Sequence, residues 1–270
     1  MMTFHDKAAI QVTNITLNVK NLKTMLEFYS HILGLKVVSK DDTSAILQVG
    51  LSDHTITLNE IQEGRQPSLR EAGLFHIAIL LPERVDLANF LFHISQSNIP
   101  IGGGDHLVSE ALYLNDPEGN GIEVYYDRPE SEWLWENDKV KMDTLQVDTA
   151  DLLNQRTEIG WDKIPNNAKI GHLHLKTSDL AVARHFYIDK LGLQHISDFP
   201  QALFMSSKYY HHHIAVNTWQ SSLPRIENDN SYGLVHIDIY KPNNEVEETF
   251  LIDGLNITLH NQMSLIADKV

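Results

Sequence analysis

The chain of 270 residues contains an internal repeat, and this repeat constrains the fold more than any other feature of the sequence. Residues 14–35 and 172–193 share a Phe-Tyr pair and a Leu-Gly-Leu triplet at an offset of 158. Residues 73–79 (GLFHIAI) and 233–239 (GLVHIDI) match at an offset of 160. Because two separate segments recur at nearly one offset, the two halves of the chain are duplicates of each other.

Each repeated unit has the pattern of a strand, a helix and three further strands. Apolar and polar side chains alternate in residues 14–20, which predicts a half-buried strand. Asn21 then occupies an N-cap position before a helix, and Asp179 does so in the second copy. Gly34 is placed to end the first helix. Three strand-like stretches follow, at residues 35–40, 44–49 and 54–61.

The repeated pattern therefore predicts that the whole chain has an α+β fold made of four tandem βαβββ modules. The second module begins at Leu74, with a helix over residues 84–96, a Gly-Gly-Gly turn at 102–104, and strands at 111–115 and 121–127. The third module repeats this order over residues 168–218, and the fourth is shortened. We expect the modules to form two cup-shaped mixed sheets with the helices outside.

The repeat also divides the chain into domains. Modules one and two form an N-terminal domain at 1–130, a connector spans 131–167, and modules three and four form a C-terminal domain at 168–270. The region around the connector contains Trp133, Trp135 and Trp161. Three tryptophans in a free linker would expose apolar surface, so we expect them to pin the connector onto the modules.

Composition excludes several classes of function. The chain has 21 basic and 36 acidic residues and a net charge of −15, which argues against a nucleic-acid or anionic-membrane partner. No apolar run approaches the ~20 residues of a membrane helix. The sequence has no cysteine and does not open with a secretory signal pattern, so we expect a cytoplasmic protein without thiolate chemistry. Its 15 histidines favour metal or acid–base chemistry.

The ordered motifs resemble the vicinal-oxygen-chelate superfamily, which includes glyoxalase I, bleomycin- and fosfomycin-resistance proteins and extradiol dioxygenases. These motifs are the N-cap Asp/Asn-Leu, the Phe-Tyr pair, Leu-Gly-Leu, GLFHIAI and DPEGNGIEVYY at 116–126. Residues 102–129 and 210–217 look most similar to catechol 2,3-dioxygenases. The resemblance covers most of the chain, except the connector and the shortened last module.

In this superfamily the metal ligands lie on the first and last strands of two modules that face each other. The first-strand positions in this chain are Asn14, His76, His172 and His236, and the last-strand positions include Leu58, Glu123, Ala215 and Thr258. Only the pairing of modules two and three gives a complete ligand set, which consists of His76, Glu123 and His172. Two histidines and one carboxylate leave open positions on non-haem Fe(II), and Mn(II) and Zn(II) suit the same ligands. Modules one and four are expected to form a degenerate cup.

The run of three histidines at 211–213 carries the predicted acid–base group. In extradiol dioxygenases, a histidine three residues before an alanine in this pattern transfers the proton, and His212 holds that position. Strand alternation would instead turn His211 and His213 into the cup, so both remain alternatives.

Two more residues follow from the same resemblance. Tyr113, ten residues before Glu123, and His106, in a Gly-x-His pattern, are expected to hydrogen-bond the substrate oxygens. The resemblance thus implies an extradiol dioxygenase that cleaves a catechol-type diol with O2. The alternatives are a glyoxalase-like metal-dependent lyase or isomerase, which usually carries a fourth protein ligand where Ala215 stands here, and a metal-free small-molecule binding protein. A homodimer is the base-rate expectation.

Overall fold

A computed structural model describes residues 4–263 of the chain, and the predicted domain ends at 1–3 and 264–270 lie outside this range. The strands are β1 Gln11–Val19, β2 Lys36–Lys40, β3 Ser44–Gln48, β4 Thr55–Glu60, β5 Gly73–Leu81, β6 Gly102–Asp105, β7 Ser109–Asn115, β8 Gly121–Asp127, β9 Trp135–Glu136, β10 Lys139–Val140, β11 Lys169–Lys176, β12 Gln194–Phe199, β13 Ala202–Ser206, β14 Ile214–Asn217, β15 Gly233–Tyr240, β16 Glu248–Ile252 and β17 Leu255–His260. The α-helices are α1 Leu22–Glu27, α2 Arg84–Ser95, α3 Thr149–Asn154 and α4 Leu180–Arg184.

Two large mixed sheets are built from these strands, and each sheet uses both halves of the chain. The seven-stranded sheet has the order β16-β17-β15-β1-β4-β3-β2 and combines modules one and four, so we call it the 1–4 sheet. The eight-stranded sheet has the order β12-β13-β14-β11-β5-β8-β7-β6 and combines modules two and three, so we call it the 2–3 sheet. The predicted α+β class and the predicted pairing of modules are confirmed.

The modules join through their first strands. Strand β1 pairs antiparallel with β15, and β5 pairs antiparallel with β11. Each first strand also pairs in parallel with the last strand of its own module, for example β5 with β8. Because both sheets cross the connector, the division at 1–130 and 168–270 stays a prediction about sequence units and does not describe the sheets.

Helices α1, α2 and α4 begin where the sequence predicts, whereas α3 lies in the connector, for which no helix is predicted. The Asn21 side chain accepts a hydrogen bond from the backbone N–H of Thr24 at 2.8 Å, and Asp179 caps α4 in the same way. Helix α1 continues as a π-helix over Phe28–Ile32, and Gly34 ends the segment with φ +76°, a conformation that glycine adopts without strain. No helix within residues 4–263 is long and apolar enough to cross a membrane.

The predicted Gly-Gly-Gly turn is wrong, because residues 102–104 belong to the edge strand β6. Gly104 pairs with Ala111 of β7, and a Cβ on Gly104 would come within 3.1 Å of Nε2 of His106. The space that the glycines leave at the edge is used by His106 and by Val147 of the connector. The glycines therefore allow close packing over a strand and do not form a turn.

The apolar faces of both sheets pack with the helices in one continuous core, which leaves the opposite faces free to form cups. The connector is ordered against this body, as predicted. Trp133 is buried and stacks on Phe4 with ring centroids 5.4 Å apart, and Trp161 meets Phe90 edge-on at 5.0 Å. Trp133 therefore holds the connector beside the histidine run and Trp161 holds it on helix α2, whereas Trp135 is exposed, so two of the three tryptophans act as predicted.

Candidate metal centre

The three predicted metal ligands lie on neighbouring strands of the 2–3 sheet: His172 on β11, His76 on β5 and Glu123 on β8. Ala78 of β5 pairs with His172 on one side and with Glu123 on the other. Because the buried Ala78 side chain is a single methyl group, the two longer side chains can meet above it. A small residue at this position therefore makes room for the ligand set.

A register shift in β11 turns His172 into the cup. In a regular strand, residues two apart share one face, so His172 would face the core together with Ile170. The pairing with β5 shifts between these two residues, which is the signature of a β-bulge. Ile170 and Leu173 consequently belong to the apolar core, whereas the His174 side chain lines the cup with its neighbours in the site.

The ligand atoms converge on one point. The Nε2 atom of His76 lies 2.9 Å from Oε2 of Glu123, and Nε2 of His172 lies 3.2 Å from the same oxygen. One ligand atom from each residue lies within 4.8 Å of the other two. The buried Nε2 of His76 makes no well-oriented hydrogen bond within residues 4–263. Three ligand atoms that converge in this way, one of them without a hydrogen-bond partner in the described residues, fit a divalent metal ion.

The protonation states also fit a metal. Burial lowers the pKa of His172 to about 4, so its imidazole is neutral at pH 7. Burial alone would raise the pKa of the Glu123 carboxyl, but the adjacent His172 and His76 hold it well below its usual range. Metal binding requires neutral imidazoles and an ionised carboxylate.

His212 lies beside the ligands with one ring nitrogen unbonded. Its ring centroid is 4.0 Å from that of His172, and its buried Nε2 has no hydrogen-bond partner in the described part of the chain. Strand β14 begins only at Ile214, so strand alternation does not govern the three histidines. His213 is directed elsewhere, because its Nε2 lies 2.8 Å from the carbonyl oxygen of Phe4.

A carboxylate and a second histidine determine which nitrogen of His212 carries the proton. Oδ1 of Asp127 lies 2.7 Å from Nε2 of His211, and Nδ1 of His211 lies 2.8 Å from Nδ1 of His212. The carboxylate only accepts, so His211 donates through Nε2 and, when neutral, accepts through Nδ1. His212 then donates through Nδ1, and its Nε2 keeps a lone pair. Burial lowers the pKa of His212 well below its usual range, which keeps the ring neutral.

Tyr113 and His106 form a second polar pair. The Nδ1 atom of His106 donates to the carbonyl oxygen of Asp143 at 2.8 Å, and when the ring is neutral its Nε2 accepts from the Tyr113 hydroxyl at 2.6 Å. Tyr113 also pairs with Glu123 across β7 and β8. Burial, together with the nearby Glu123 carboxylate, raises the pKa of Tyr113 well above its usual value, so the phenol keeps its proton.

These groups surround a cavity of about 220 Å³. Its walls combine aromatic and apolar side chains with the polar groups described above. The lining residues are Phe75, His76, His106, Val108, Ser109, Tyr113, Glu123, Met142, Asp143, Thr144, His174, Phe199, Phe204, His212 and Trp219. An apolar cleft with a few convergent polar groups is the usual form of a small-molecule site.

The structure brings all six predicted site residues together. Five of them line the cavity. The sixth, His172, does not line it but contacts Glu123 and His212. This proximity is a geometric fact, whereas the role of each residue stays a prediction.

Sequence reasoning missed several residues of the site. His174 is not among the predicted site residues, yet it is buried, lines the cavity and has its ring 4.9 Å from that of His76. The signal was available, because His174 lies two residues after His172 and shares its face. Asp127 has no comparable signal, since its contact with the histidine run joins residues 84 positions apart.

Fold and site together define a class of protein: paired βαβββ modules that enclose a cup with two histidines and a glutamate at its floor. Residues 11–124 match the family model described as Glyoxalase/Bleomycin resistance protein/Dioxygenase superfamily. The chain is 37% identical to Catechol-2,3-dioxygenase of Bacillus subtilis (strain 168) over 249 residues, which is 91% of this chain and 87% of that protein. The chain therefore belongs to the Glyoxalase/Bleomycin resistance protein/Dioxygenase superfamily.

Two further comparisons agree with this membership. Biphenyl-2,3-diol 1,2-dioxygenase 3 of Rhodococcus globerulus is 28% identical over 120 residues, which is 43% of this chain and 63% of that protein. The crystal structure of glyoxalase I from Zea mays has a TM-score of 0.58 at 12% identity and covers 93% of this chain and 92% of that one. The maize structure supports the fold alone. The relatives named as dioxygenases support an enzyme that acts on a small molecule.

Proposed function

We propose that the protein is an extradiol dioxygenase that cleaves the ring of a catechol-type diol with O2 and uses Fe(II). The observation that carries this proposal is the geometry of the site. Two histidines and one carboxylate converge beside an aromatic-lined cavity that His212 also lines, and Nε2 of His212 has no hydrogen-bond partner within residues 4–263. A chelating substrate and O2 both need open positions at the metal.

His76, His172 and Glu123 would hold the metal. When bound, Fe(II) would supply Lewis acidity toward the two adjacent hydroxyls of the diol and the redox chemistry for O2. The same three ligands suit Mn(II) and Zn(II), and a cytoplasmic location and a homodimer remain predictions from composition and base rates.

The protein groups around the metal would bind the diol and move one proton. Nε2 of His212 would accept a proton from a substrate hydroxyl and return it to the ring-opened product. Asp127, acting through His211, would keep the accepting lone pair at Nε2. On another wall of the cavity, the Tyr113 oxygen would accept a hydrogen bond from a substrate hydroxyl, and His106, whose ring nitrogens bond Asp143 and Tyr113, would orient the phenol.

A glyoxalase-like lyase or isomerase is the alternative within the superfamily. Such sites usually have a fourth protein ligand on the last strand of the partner module, and here that position is Ala215, which is buried against Phe204. Among the residues that line the cavity, the carboxylates are Glu123 at its floor and Asp143 in the connector. The open ligand set favours the dioxygenase over this alternative and over a metal-free binding protein.

The test combines metal content with O2 consumption, using Glu123→Gln and the matched control Glu247→Gln, which alters an acidic residue near the 1–4 cup. Protein purified without oxygen should hold about one iron per chain in wild type and control. Glu123→Gln should bind iron at least roughly 100-fold more weakly, because it lacks the charged ligand. Catechol should drive O2 uptake, with one O2 used per ring-opened product, only in the iron-containing proteins.

Each other outcome identifies an alternative. Stoichiometric metal without O2 uptake on any simple catechol would favour the glyoxalase-like enzyme. Wild-type protein that binds no added Fe(II), Mn(II) or Zn(II) would overturn the metal site and leave a binding protein.

A further inference from the structure

The cavity has strongly uneven chemistry on its walls. Beside the polar groups of the site, the cavity is lined by Phe75, Phe199, Phe204, Trp219 and Met142. Phe75 and Trp219 meet edge-on with ring centroids 5.5 Å apart, and Phe199 lies 5.3 Å from Phe204. None of the lining residues in the described part of the chain is a lysine or an arginine. A substituent on a bound ring would therefore meet aromatic and apolar side chains and no cation.

One wall of the cavity comes from outside the βαβββ modules. Met142, Asp143 and Thr144 of the connector line the cavity, and we call these three residues the strap. Two backbone hydrogen bonds between Asp105 and Leu145, at 2.8 and 2.9 Å, fasten the chain just beyond the strap to β6. The carbonyl oxygen of Asp143 also accepts from His106. The strap is thus attached to the part of the sheet that carries the predicted substrate-binding pair.

The charge of the strap is negative where it meets the cavity. The Asp143 side chain is exposed, and its Oδ1 accepts a hydrogen bond from the backbone N–H of Thr144 at 2.8 Å. The carboxylate faces no arginine or lysine among the residues that line the cavity. An anionic group on a substrate would lose water without gaining a cationic partner and would be repelled by Asp143.

We propose, resting on the proposed function, that the strap makes the site selective for single-ring catechols with uncharged, apolar substituents and excludes carboxylated catechols. A site that recognises a carboxylated diol is expected to present an arginine or lysine to the carboxylate, and neither occurs among the described residues that line this cavity. Its volume of about 220 Å³ lies below the range of roughly 300–1,000 Å³ that is typical of drug-sized ligands, which favours one ring.

The test compares 4-methylcatechol with 3,4-dihydroxybenzoate, which differ in the charge of one ring substituent. In wild-type, iron-loaded protein, kcat/KM for 4-methylcatechol should exceed kcat/KM for 3,4-dihydroxybenzoate at least roughly 100-fold, because burial of an unpaired carboxylate is costly. Asp143→Asn should narrow this ratio several-fold. Met142→Arg should narrow it further, because it supplies a cation whose long side chain can reach the cavity mouth.

The matched control is Asp138→Asn, which removes another exposed connector carboxylate that does not line the cavity. It changes the net charge of the chain as Asp143→Asn does, so a general charge effect would narrow the ratio equally in both variants. The inference is overturned by equal narrowing in the two variants. It is equally overturned by a wild-type ratio near one.

Calorimetric binding of both diols to oxygen-free protein separates this inference from the proposed function. If 4-methylcatechol binds selectively and Asp143→Asn reduces the selectivity, while no diol drives O2 uptake, the selectivity holds and the dioxygenase proposal fails. If O2 uptake is seen with both diols at similar kcat/KM, the dioxygenase proposal holds and the selectivity fails. If neither diol binds, the selectivity is overturned as well.

Discussion

The cups of the 2–3 sheet and the 1–4 sheet share one strand register but place their acidic group differently. Ala78 pairs with Glu123 between β5 and β8, and Asp238 pairs with Thr258 at the equivalent position between β15 and β17. The carboxylate has therefore moved from the last strand of the module to the first. In the 1–4 cup it occupies the position that Ala78 keeps small in the 2–3 cup.

The carboxylate of Asp238 is fully hydrogen-bonded to neighbouring side chains. Asn14 donates to Oδ2 of Asp238 at 2.8 Å, and Nε2 of His260 and of His236 lie 2.7 and 3.2 Å from Oδ1. The side-chain oxygen of Asn14 in turn accepts from the Thr55 hydroxyl at 2.8 Å. Asn14 stands where the repeat places a metal ligand in the other cup, and its hydrogen bonds are all made within the protein.

The histidines beside the two cups differ in the same way. His54 is the repeat equivalent of His212, and both of its ring nitrogens are bonded, Nε2 to Gln11 at 3.2 Å and Nδ1 to the backbone N–H of Ile170 at 2.9 Å. Nε2 of His212, by contrast, has no hydrogen-bond partner among residues 4–263. A polar cup is therefore a candidate site when its buried polar atoms converge without bonding to one another. It is structural when those atoms are hydrogen-bonded to each other.

The largest effect is expected from substituting the two equivalent histidines in parallel. His212→Gln should lower kcat about 10²–10⁴-fold, because the proton acceptor is lost, while iron content is retained. His54→Gln should leave kcat close to wild type and lower the free energy of unfolding by about 1–3 kcal/mol, because a buried hydrogen bond is lost. Steady-state O2 uptake and urea unfolding measure the two quantities. Equal losses of kcat would mean that the cups do not differ in chemistry.

A smaller effect is expected when the proton position on His212 is disturbed. Asp127→Asn should lower kcat about 10–100-fold with iron retained, because an amide no longer enforces a donor at Nε2 of His211. Tyr210→Phe is the control, since it removes the other hydrogen bond to Asp127, at 2.8 Å, and leaves the histidine chain intact. Equal kcat values for the two variants would show that the hydrogen-bond chain does not act on His212.

The smallest effect is a pH dependence of stability that comes from His54. Burial lowers its pKa to about 3, so the unfolded chain binds a proton below about pH 6.5 and the folded chain does not. The stability contribution is complete above pH 6.5 and declines as the pH falls toward 3. The stability gap between wild type and His54→Gln should therefore narrow from pH 7 to pH 4 in urea unfolding. A constant gap would show that His54 does not titrate between the two states.

Much of this arrangement could be predicted from the sequence because it depends on local periodicity and on the repeat. The alternation around Glu123 predicts which face the carboxylate occupies, and the repeat aligns the first strands of all four modules. The N-cap at Asn21 and the stop at Gly34 are similarly local, since each acts within one helical turn. The choice of modules two and three also needs the family resemblance, which supplies the ligand positions that are counted in each pairing.

The remaining features depend on contacts between distant segments, which local patterns do not encode. The bulge before His172, the hydrogen bond from His211 to Asp127 and the strap beside the cavity each arise where separate strands or the connector meet. The glycines of β6 resemble a turn because glycine permits both turns and close packing. Contacts with residues that are distant in the sequence determine which of these conformations the glycines adopt. Such contacts exist only in the folded chain.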